Sequence, residues 1–323
     1  MRTVIALLSP GQGAQAPGML APWLEVPGTD DLLSACAEAA GLDLRTLGTG
    51  ADAETIKDTA VAQPLIVSAS LLSLHALQAA LLTREASLAG TSDWVDIAAG
   101  HSVGEFAAAV AAGVLIPTEA LHLVGVRGAA MAEAAARAET GMSAVVGGQP
   151  AEVEAALAAH DLVGANVNGG GQVVAAGLLT DLRALEADPP ARARVIPLAV
   201  AGAFHTSYMS PAVQAVQAVA DGLSPADPSL RLLSNAAGNT IASGSEALAA
   251  LVAQISSPVR WDLCQEAMVT AEVTAAVELA PAGVLTGLAR RNMRGVETVA
   301  LKSPDDLDAA VDLIIRTRST RES

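Results

Sequence analysis

The chain has 323 residues, 52% of them hydrophobic, and a net charge of −16 at pH 7. This length and composition suffice for a sizeable core in one large domain, or in a large and a small one. Only two of the basic residues are lysines, Lys57 and Lys302, so the broad cationic surface that nucleic acids require is missing. No nucleic-acid partner is expected.

The apolar runs of the chain are shorter than those of a membrane protein. The richest stretch, residues 65–82, is interrupted by serine, histidine and glutamine, whereas a bilayer span needs about 20 apolar residues. The run after Arg2 is too short for a signal peptide. Cys36 and Cys264 lie far apart without metal-ligand spacing, so we expect reduced, buried thiols. We predict a cytoplasmic protein with no membrane partner, disulfide or metal site.

In its first part the chain alternates between strand and helix patterns. Strands are predicted at residues 3–8 and 96–99, and helices at 29–40, 62–82, 103–112 and 118–138. Such alternation is typical of an α/β protein with a parallel sheet.

The pattern changes at Gly141. The predicted order is strand 142–146, helix 151–160, strand 163–167, strand 172–176, helix 181–187 and strand 194–200. This β-α-β-β-α-β order is that of a ferredoxin-like unit. We therefore predict an α/β fold in which a small ferredoxin-like subdomain, residues 139–200, interrupts a large subdomain formed by residues 1–138 and 201–323.

A G-x-S-x-G pattern centred on Ser102 follows a short apolar strand and precedes an alanine-rich helix. A nucleophile elbow has this context, since glycines at positions 100 and 104 allow a sharp turn that exposes the serine. The amide of Val103, at the helix N-terminus, would face developing negative charge. A chance match is the alternative, which the flanking strand and helix make weaker.

A catalytic serine needs a base, and one of the five histidines has a suitable context. His75 and His122 lie mid-helix, and His160 closes a helix. The His101 side chain points away from its neighbour Ser102 in an extended segment. His205 remains, because it follows the last strand of the small subdomain and a loop that can present it to a cleft.

Two further features fit acyl transfer. The turn at residues 9–15 offers the amide of Gln12 as a second oxyanion donor, although a plain strand-to-helix turn would look the same. Arg127 lies in a helix among apolar and small residues. A buried arginine there either pairs with a structural carboxylate or holds the carboxylate of a ligand.

Ordered motifs run along nearly the whole chain. They are Pro10-Gly11-Gln12-Gly13-Ala14-Gln15, Gln63-Pro64, Gly100-His101-Ser102-Val103-Gly104-Glu105, Arg127-Gly128, Asn166-Val167-Asn168, Gly202-Ala203-Phe204-His205 and Pro258-Val259-Arg260-Trp261. Together they resemble the malonyl-CoA:acyl carrier protein transacylases and the acyltransferase domains of polyketide synthases. Two departures, Ala14 for serine and Ala280-Pro281-Ala282 for Gly-Pro-Gly, remove no reacting group.

The resemblance implies a fold and a set of roles. The large subdomain would be α/β-hydrolase-like, with Ser102 as nucleophile, His205 as base and Arg127 as carboxylate clamp. The oxyanion hole would be the amides of Gln12 and Val103, and the carbonyl of Gln254 would orient the imidazole. The pocket residues implied by the same motifs are Gln63, His101, Asn166, Asn168 and Phe204, and Phe204 with Val103 resembles the malonyl-selective pattern.

The activity implied is ping-pong transfer of malonyl from malonyl-CoA to the phosphopantetheine thiol of an acyl carrier protein in fatty acid biosynthesis. No cofactor is implied, and a monomer is expected. Loading of a polyketide carrier is the main alternative. A thioester hydrolase with the same serine, or a non-catalytic scaffold that binds the carrier, are weaker alternatives.

Overall fold

The computed structural model describes residues 3–319, which form two five-stranded sheets with helices around them. The strands are β1 Val4–Ser9, β2 Ile97–Gly100, β3 Thr140–Gly147, β4 Val163–Gly169, β5 Gln172–Leu178, β6 Ala193–Pro197, β7 Arg231–Leu232, β8 Val259–Arg260, β9 Val273–Glu278 and β10 Glu297–Ala300. Residues 1–2 and 320–323 of the predicted large subdomain, with Arg2, lie outside the described residues.

The helices surround both sheets. They are α1 Thr29–Ala40, α2 Leu44–Gly50, α3 Thr59–Arg84, α4 Thr91–Trp94, α5 Gly104–Ala111, α6 Pro117–Ala135, α7 Pro150–Ala159, α8 Leu179–Ala187, α9 Ser210–Ala220, α10 Gly244–Ala253, α11 Trp261–Thr270, α12 Val284–Asn292 and α13 Leu307–Ser319. Short 3₁₀ helices are Ala21–Glu25, Thr55–Lys57, Ala86–Leu88, Ser207–Met209, Gln254–Ser256 and Pro304–Asp306.

The first sheet is parallel, in the order β10-β9-β1-β2-β7. All six residues of β1 are buried, as expected for a parallel strand covered on both faces. Ser9 at the end of β1 lies beside Gly100 at the end of β2. The turn after β1, the elbow after β2 and the segment after β7 therefore emerge at the same sheet edge, where ligands bind in open α/β sheets.

The second sheet has the order β6-β3-β5-β4-β8, and its first four strands are antiparallel. With α7 and α8 they form the β-α-β-β-α-β unit in ferredoxin-like strand order. This architecture confirms the predicted fold class. Strand β8, from the C-terminal half, pairs in parallel with β4 and extends the small sheet. The boundaries at residues 139 and 200 stay a prediction.

Helix α3 is the central core helix. Within residues 3–319 it alone is long and apolar enough to cross a membrane by length and composition, but 72% of its most apolar window is buried inside the structure. It packs against α6, α1 and α13. The helix begins at Thr59, three residues before the predicted start at residue 62. It begins there because the Asp58 side chain caps it by accepting the backbone N–H of Ala60. An apolar helix of this kind is explained by burial within the protein.

Candidate active site

The elbow at Ser102 depends on its two glycines. A Cβ at Gly100 would lie 2.0 Å from the carbonyl carbon of Gly104, and a Cβ at Gly104 would lie 2.2 Å from the carbonyl oxygen of Ser9. Only glycines allow α5 to begin directly against the ends of β1 and β2. Ser102 itself has φ of 53°, a left-handed conformation that is strained for a residue with a Cβ. The turn therefore holds Ser102 out from the strand end.

Ser102 and His205 are in direct contact, 103 residues apart in sequence. Oγ of Ser102 lies 2.7 Å from Nε2 of His205, whose Nδ1 lies 2.8 Å from the carbonyl oxygen of Gln254. Because a carbonyl only accepts, Nδ1 carries the hydrogen and Nε2 is free to accept from the serine hydroxyl. Burial, and after it the charge of Arg127, lower the pKa of His205 to about 3. The imidazole is therefore neutral at pH 7 and can act as a base.

Arg127 is a fully buried cation beside Ser102. Its guanidinium donates to the side-chain carbonyls of Gln63 and of Gln254, the latter at 2.8 Å, and one nitrogen lies 3.4 Å from Oγ of Ser102. Its Nε has no partner, and no carboxylate of residues 3–319 forms an ion pair with it within 4.0 Å. Burial lowers the pKa of Arg127 to about 10, so it remains charged at pH 7. Glu105 is close enough to oppose this lowering of the pKa, but within residues 3–319 Arg127 has no ion-pair partner, and an anionic ligand would complete the site.

Close packing of two helices positions this arginine. A Cβ at Gly128 would lie only 3.0 Å from the carbonyl oxygen of Thr59, so the glycine lets α6 approach the first turn of α3. Nε2 of Gln63 donates to Oγ1 of Thr59 at 2.8 Å, and that hydroxyl donates to Oε1 of Gln12 at 2.9 Å. The arginine is linked in this way to the turn after β1.

Two backbone amides that line the cleft with Ser102 have no hydrogen-bond partner in residues 3–319. The N–H groups of Gln12 and Val103 donate no hydrogen bond within the part of the chain that the structure describes. The turn that carries Gln12 lies against the elbow, because a Cβ at Gly11 would be 2.4 Å from the carbonyl oxygen of His101. Unpaired N–H donors on the two sides of a nucleophile can stabilise an oxyanion.

The site opens into a cleft of about 480 Å³ between the two sheets. Ten of the predicted site residues line it: Gln12, Gln63, His101, Ser102, Val103, Arg127, Asn166, Asn168, Phe204 and His205. Gln254 lies behind the cleft and acts through His205 and Arg127. Nε2 of His101 lies 2.9 Å from Oδ1 of Asn168, joining the elbow to β4. The buried Oδ1 of Asn166 has no hydrogen-bond partner among the described residues.

Residues 7–308 match the family model of the acyl transferase domain. Over 310 residues the chain is 52% identical to the malonyl CoA-acyl carrier protein transacylase of Mycobacterium tuberculosis (strain ATCC 25618 / H37Rv), covering 96% of this chain and 100% of that protein. The chain belongs to the malonyl CoA-acyl carrier protein transacylase family.

Solved structures of malonyl transacylases have the same fold. The crystal structure of MCAT from M. tuberculosis has a TM-score of 0.89 at 52% identity, covering 95% of this chain and 99% of that one. A structure of PlMCAT in complex with AntF, a type II polyketide synthase acyl-carrier protein, has a TM-score of 0.85 at 28% identity, covering 96% and 99%. The family resemblance therefore extends over both sheets.

Two residues of this family member contact the elbow although their sequence context assigned them no role. Oδ1 of Asn235 accepts the backbone N–H of Ser102 at 2.8 Å, and Glu105 contacts both Asn235 and Gln254. Burial raises the pKa of the Glu105 carboxyl to about 8, against the opposing effect of the two N–H donors, from Asn235 and Gln254, and of the charge of Arg127. A glutamate within an apolar helix is a sequence signal that could have identified Glu105 as a site residue. Asn235 follows a strand of only two residues, and its sequence context contains no such signal.

Proposed function

We propose that the chain transfers malonyl from malonyl-CoA to the phosphopantetheine thiol of an acyl carrier protein through an ester on Ser102. One observation carries the proposal: Oγ of Ser102 lies 2.7 Å from the neutral imidazole of His205 and 3.4 Å from a buried guanidinium that has no carboxylate partner in residues 3–319. The names of the relatives support malonyl as the acyl group, and the PlMCAT complex supports a carrier protein as acceptor.

In the first half-reaction, Ser102 attacks the thioester carbonyl while its proton passes to Nε2 of His205. The carbonyl of Gln254 keeps Nδ1–H oriented and stabilises the imidazolium that forms. The amides of Gln12 and Val103 hold the oxyanion of the tetrahedral intermediate. Collapse breaks the carbon–sulfur bond, His205 returns the proton to the leaving CoA sulfur, and malonyl-Ser102 remains.

The second half-reaction runs the same steps with the carrier thiol. His205 takes the thiol proton as the sulfur attacks the ester carbonyl, and the same two amides hold the oxyanion. Collapse breaks the ester bond, and the proton on His205 returns to Oγ of Ser102. Because one base serves both halves, CoA must leave before the carrier thiol enters, which gives ping-pong kinetics.

Arg127 selects the acyl group by binding its free carboxylate in a bidentate contact, because a buried guanidinium can form two charge-assisted hydrogen bonds with it. Acetyl would leave the buried cation without that partner. Gln63, His101, Asn166 and Asn168 complete the polar lining of the pocket. Phe204 and Val103 limit its width, so that methylmalonyl is disfavoured by about 1 to 3 kcal/mol, the usual value of one methyl group.

Replacing Arg127 with alanine is expected to slow malonyl transfer by about 10² to 10³, the loss that follows when one partner of a buried charge pair is removed. Acetyl transfer should fall less, so the acetyl-to-malonyl ratio of kcat/KM rises. Initial rates with the two CoA thioesters measure this ratio. Arg137→Ala, at an exposed arginine paired with Glu133, is the matched control and should change neither rate. An equal loss for both acyl groups would indicate a purely structural arginine.

Fatty acid synthesis is the pathway we propose. Loading of a polyketide carrier is the second candidate, and the complex of PlMCAT with a polyketide synthase carrier favours it. We further propose that the chain acts in the cytoplasm as a monomer and without a cofactor. The groups that the two half-reactions need are supplied by its own side chains and amides, and Cys36 and Cys264 are free, buried thiols.

Incubation with labelled malonyl-CoA, with and without acyl carrier protein, tests the function. Malonyl transfer predicts labelled carrier, release of CoA and little free malonate. Free malonate at the same rate with or without carrier would identify a hydrolase. Unreacted malonyl-CoA in both incubations would leave only a binding scaffold, and the proposed function would be wrong.

A further inference from the structure

The strained backbone of Ser102 is held from both sides by amide side chains of the C-terminal half. Its N–H donates to Oδ1 of Asn235 at 2.8 Å, and its carbonyl oxygen accepts from Nε2 of Gln254 at 2.9 Å. A positive φ at a residue with a Cβ persists only where the surroundings hold it. These two hydrogen bonds hold Ser102, and they involve neither its hydroxyl nor the acyl group.

One buried side chain, that of Glu105, accepts hydrogen bonds from both of these residues. Oε1 of Glu105 accepts the backbone N–H of Asn235 at 2.7 Å, and Oε2 accepts from Nε2 of Gln254. Nδ2 of Asn235 also donates to the carbonyl oxygen of Gly100 at 2.7 Å, which turns its Oδ1 toward Ser102. Glu105 thus fixes residues that lie on the two sides of the elbow.

The donors and acceptors of this network match in only one way. The amide of Gln254 lies between Arg127, which only donates, and Glu105, whose two oxygens each accept an N–H, one from Asn235 and one from Gln254. Its carbonyl must therefore face the guanidinium, and its N–H groups must face Glu105 and the carbonyl of Ser102. A neutral amide at position 105 would direct its own N–H toward one of these donors, and the array could no longer be satisfied.

We propose that Glu105 is a positioning residue that holds Ser102 in its reactive geometry through Gln254 and Asn235. Its carboxylate touches neither His205 nor the hydroxyl of Ser102. The inference rests on the proposed role of Ser102 as nucleophile. A different role for Glu105, as a countercharge that acts only on Arg127, predicts another result in the following experiment.

The experiment compares two reagents that acylate or phosphonylate Ser102. Malonyl-CoA needs Arg127, whereas a neutral alkyl fluorophosphonate needs only an activated serine. Glu105→Gln is expected to slow both reactions by about 10²-fold, as displacement of a reacting group by about 1 Å does. Rate constants are taken per active site, counted by exhaustive labelling and intact mass. The matched control is Glu119→Gln, since Glu119 accepts the N–H of Ile116 outside the cleft. This variant should leave both rates within about two-fold of the wild-type rates.

Three results would overturn the positioning role. Slowing with malonyl-CoA alone would make Glu105 a countercharge for Arg127. A lowered Tm with unchanged rates per active site would make it a structural residue only. A wild-type protein that the fluorophosphonate does not label at Ser102 would contradict the proposed function itself, and labelling of the wild type keeps the two failures distinct.

A second variant covers the case in which Glu105→Gln does not fold. Asn235→Ala keeps the carboxylate but removes the acceptor of the Ser102 N–H. It is expected to slow the reactions of Ser102 with malonyl-CoA and with the fluorophosphonate by the same factor. The reason is that it removes one of the two hydrogen bonds that hold the backbone of Ser102. Unchanged rates per active site in Asn235→Ala would show that the elbow does not need the network, and the inference would be wrong.

Discussion

Replacing Ser102 with alanine is expected to abolish covalent malonylation and transfer. The structure places its hydroxyl against a neutral imidazole, beside two unpaired amides and an arginine without a carboxylate partner in the described chain. Without Oγ no ester can form, and the ping-pong cycle stops before its first product. Intact-mass measurement after mixing with malonyl-CoA should show one added malonyl group on the wild type and none on the variant.

Ser143→Ala serves as the matched control, since Ser143 is a buried serine on β3 that does not line the cleft. It should keep the full malonyl label. A label that survives in Ser102→Ala would show that another residue is the nucleophile, and the elbow assignment would be wrong.

Replacing His205 with alanine is expected to slow transfer by about 10² to 10⁴, the usual loss when a general base is removed. The protein should still fold, because the imidazole forms its hydrogen bonds to Ser102 and to the carbonyl of Gln254 at the active site and not between core helices. Single-turnover acylation by malonyl-CoA measures the loss, and circular dichroism checks the fold.

His75→Ala and His122→Ala are the controls, because the rings of these residues form hydrogen bonds with the carbonyls of Pro27 and Ala39, and neither residue lines the cleft. Both should retain wild-type rates. If His75→Ala or His101→Ala proved as damaging as expected for His205, while His205→Ala stayed active, the choice of base would be refuted.

The layers of the fold were predictable because their signals are local. The buried run of β1, the G-x-S-x-G segment after β2 and the β-α-β-β-α-β order each lie within a short window. The pairing of β8 with β4 was not predictable. Strand β8 has only two residues and therefore shows no periodicity in the sequence. It can pair with β4 only once the two sheets lie side by side.

Within the site, the sequence identified the types of residue that react but left the role of some of them open. Arg127 could have paired with a structural carboxylate or awaited a ligand, and sequence spacing does not decide between them. In the structure Gln63 and Gln254 contact the guanidinium and no carboxylate of residues 3–319 lies within ion-pair distance, which supports the proposed ligand contact. Burial without an ion-pair contact to any carboxylate of residues 3–319 is a property of the packed fold.

The sequence by itself determined the α/β class, the inserted ferredoxin-like unit and the serine at the strand end, because glycine positions and hydrophobic periods act over a few residues. Only the tertiary structure decided what holds that serine. Asn235 contacts Ser102 from 133 residues away and Gln254 from 152, and Glu105 joins them. Hydrogen bonds between residues so far apart in sequence exist only once the sheet edge has brought β2, β7 and the segment after α10 together, so no sequence pattern predicts them.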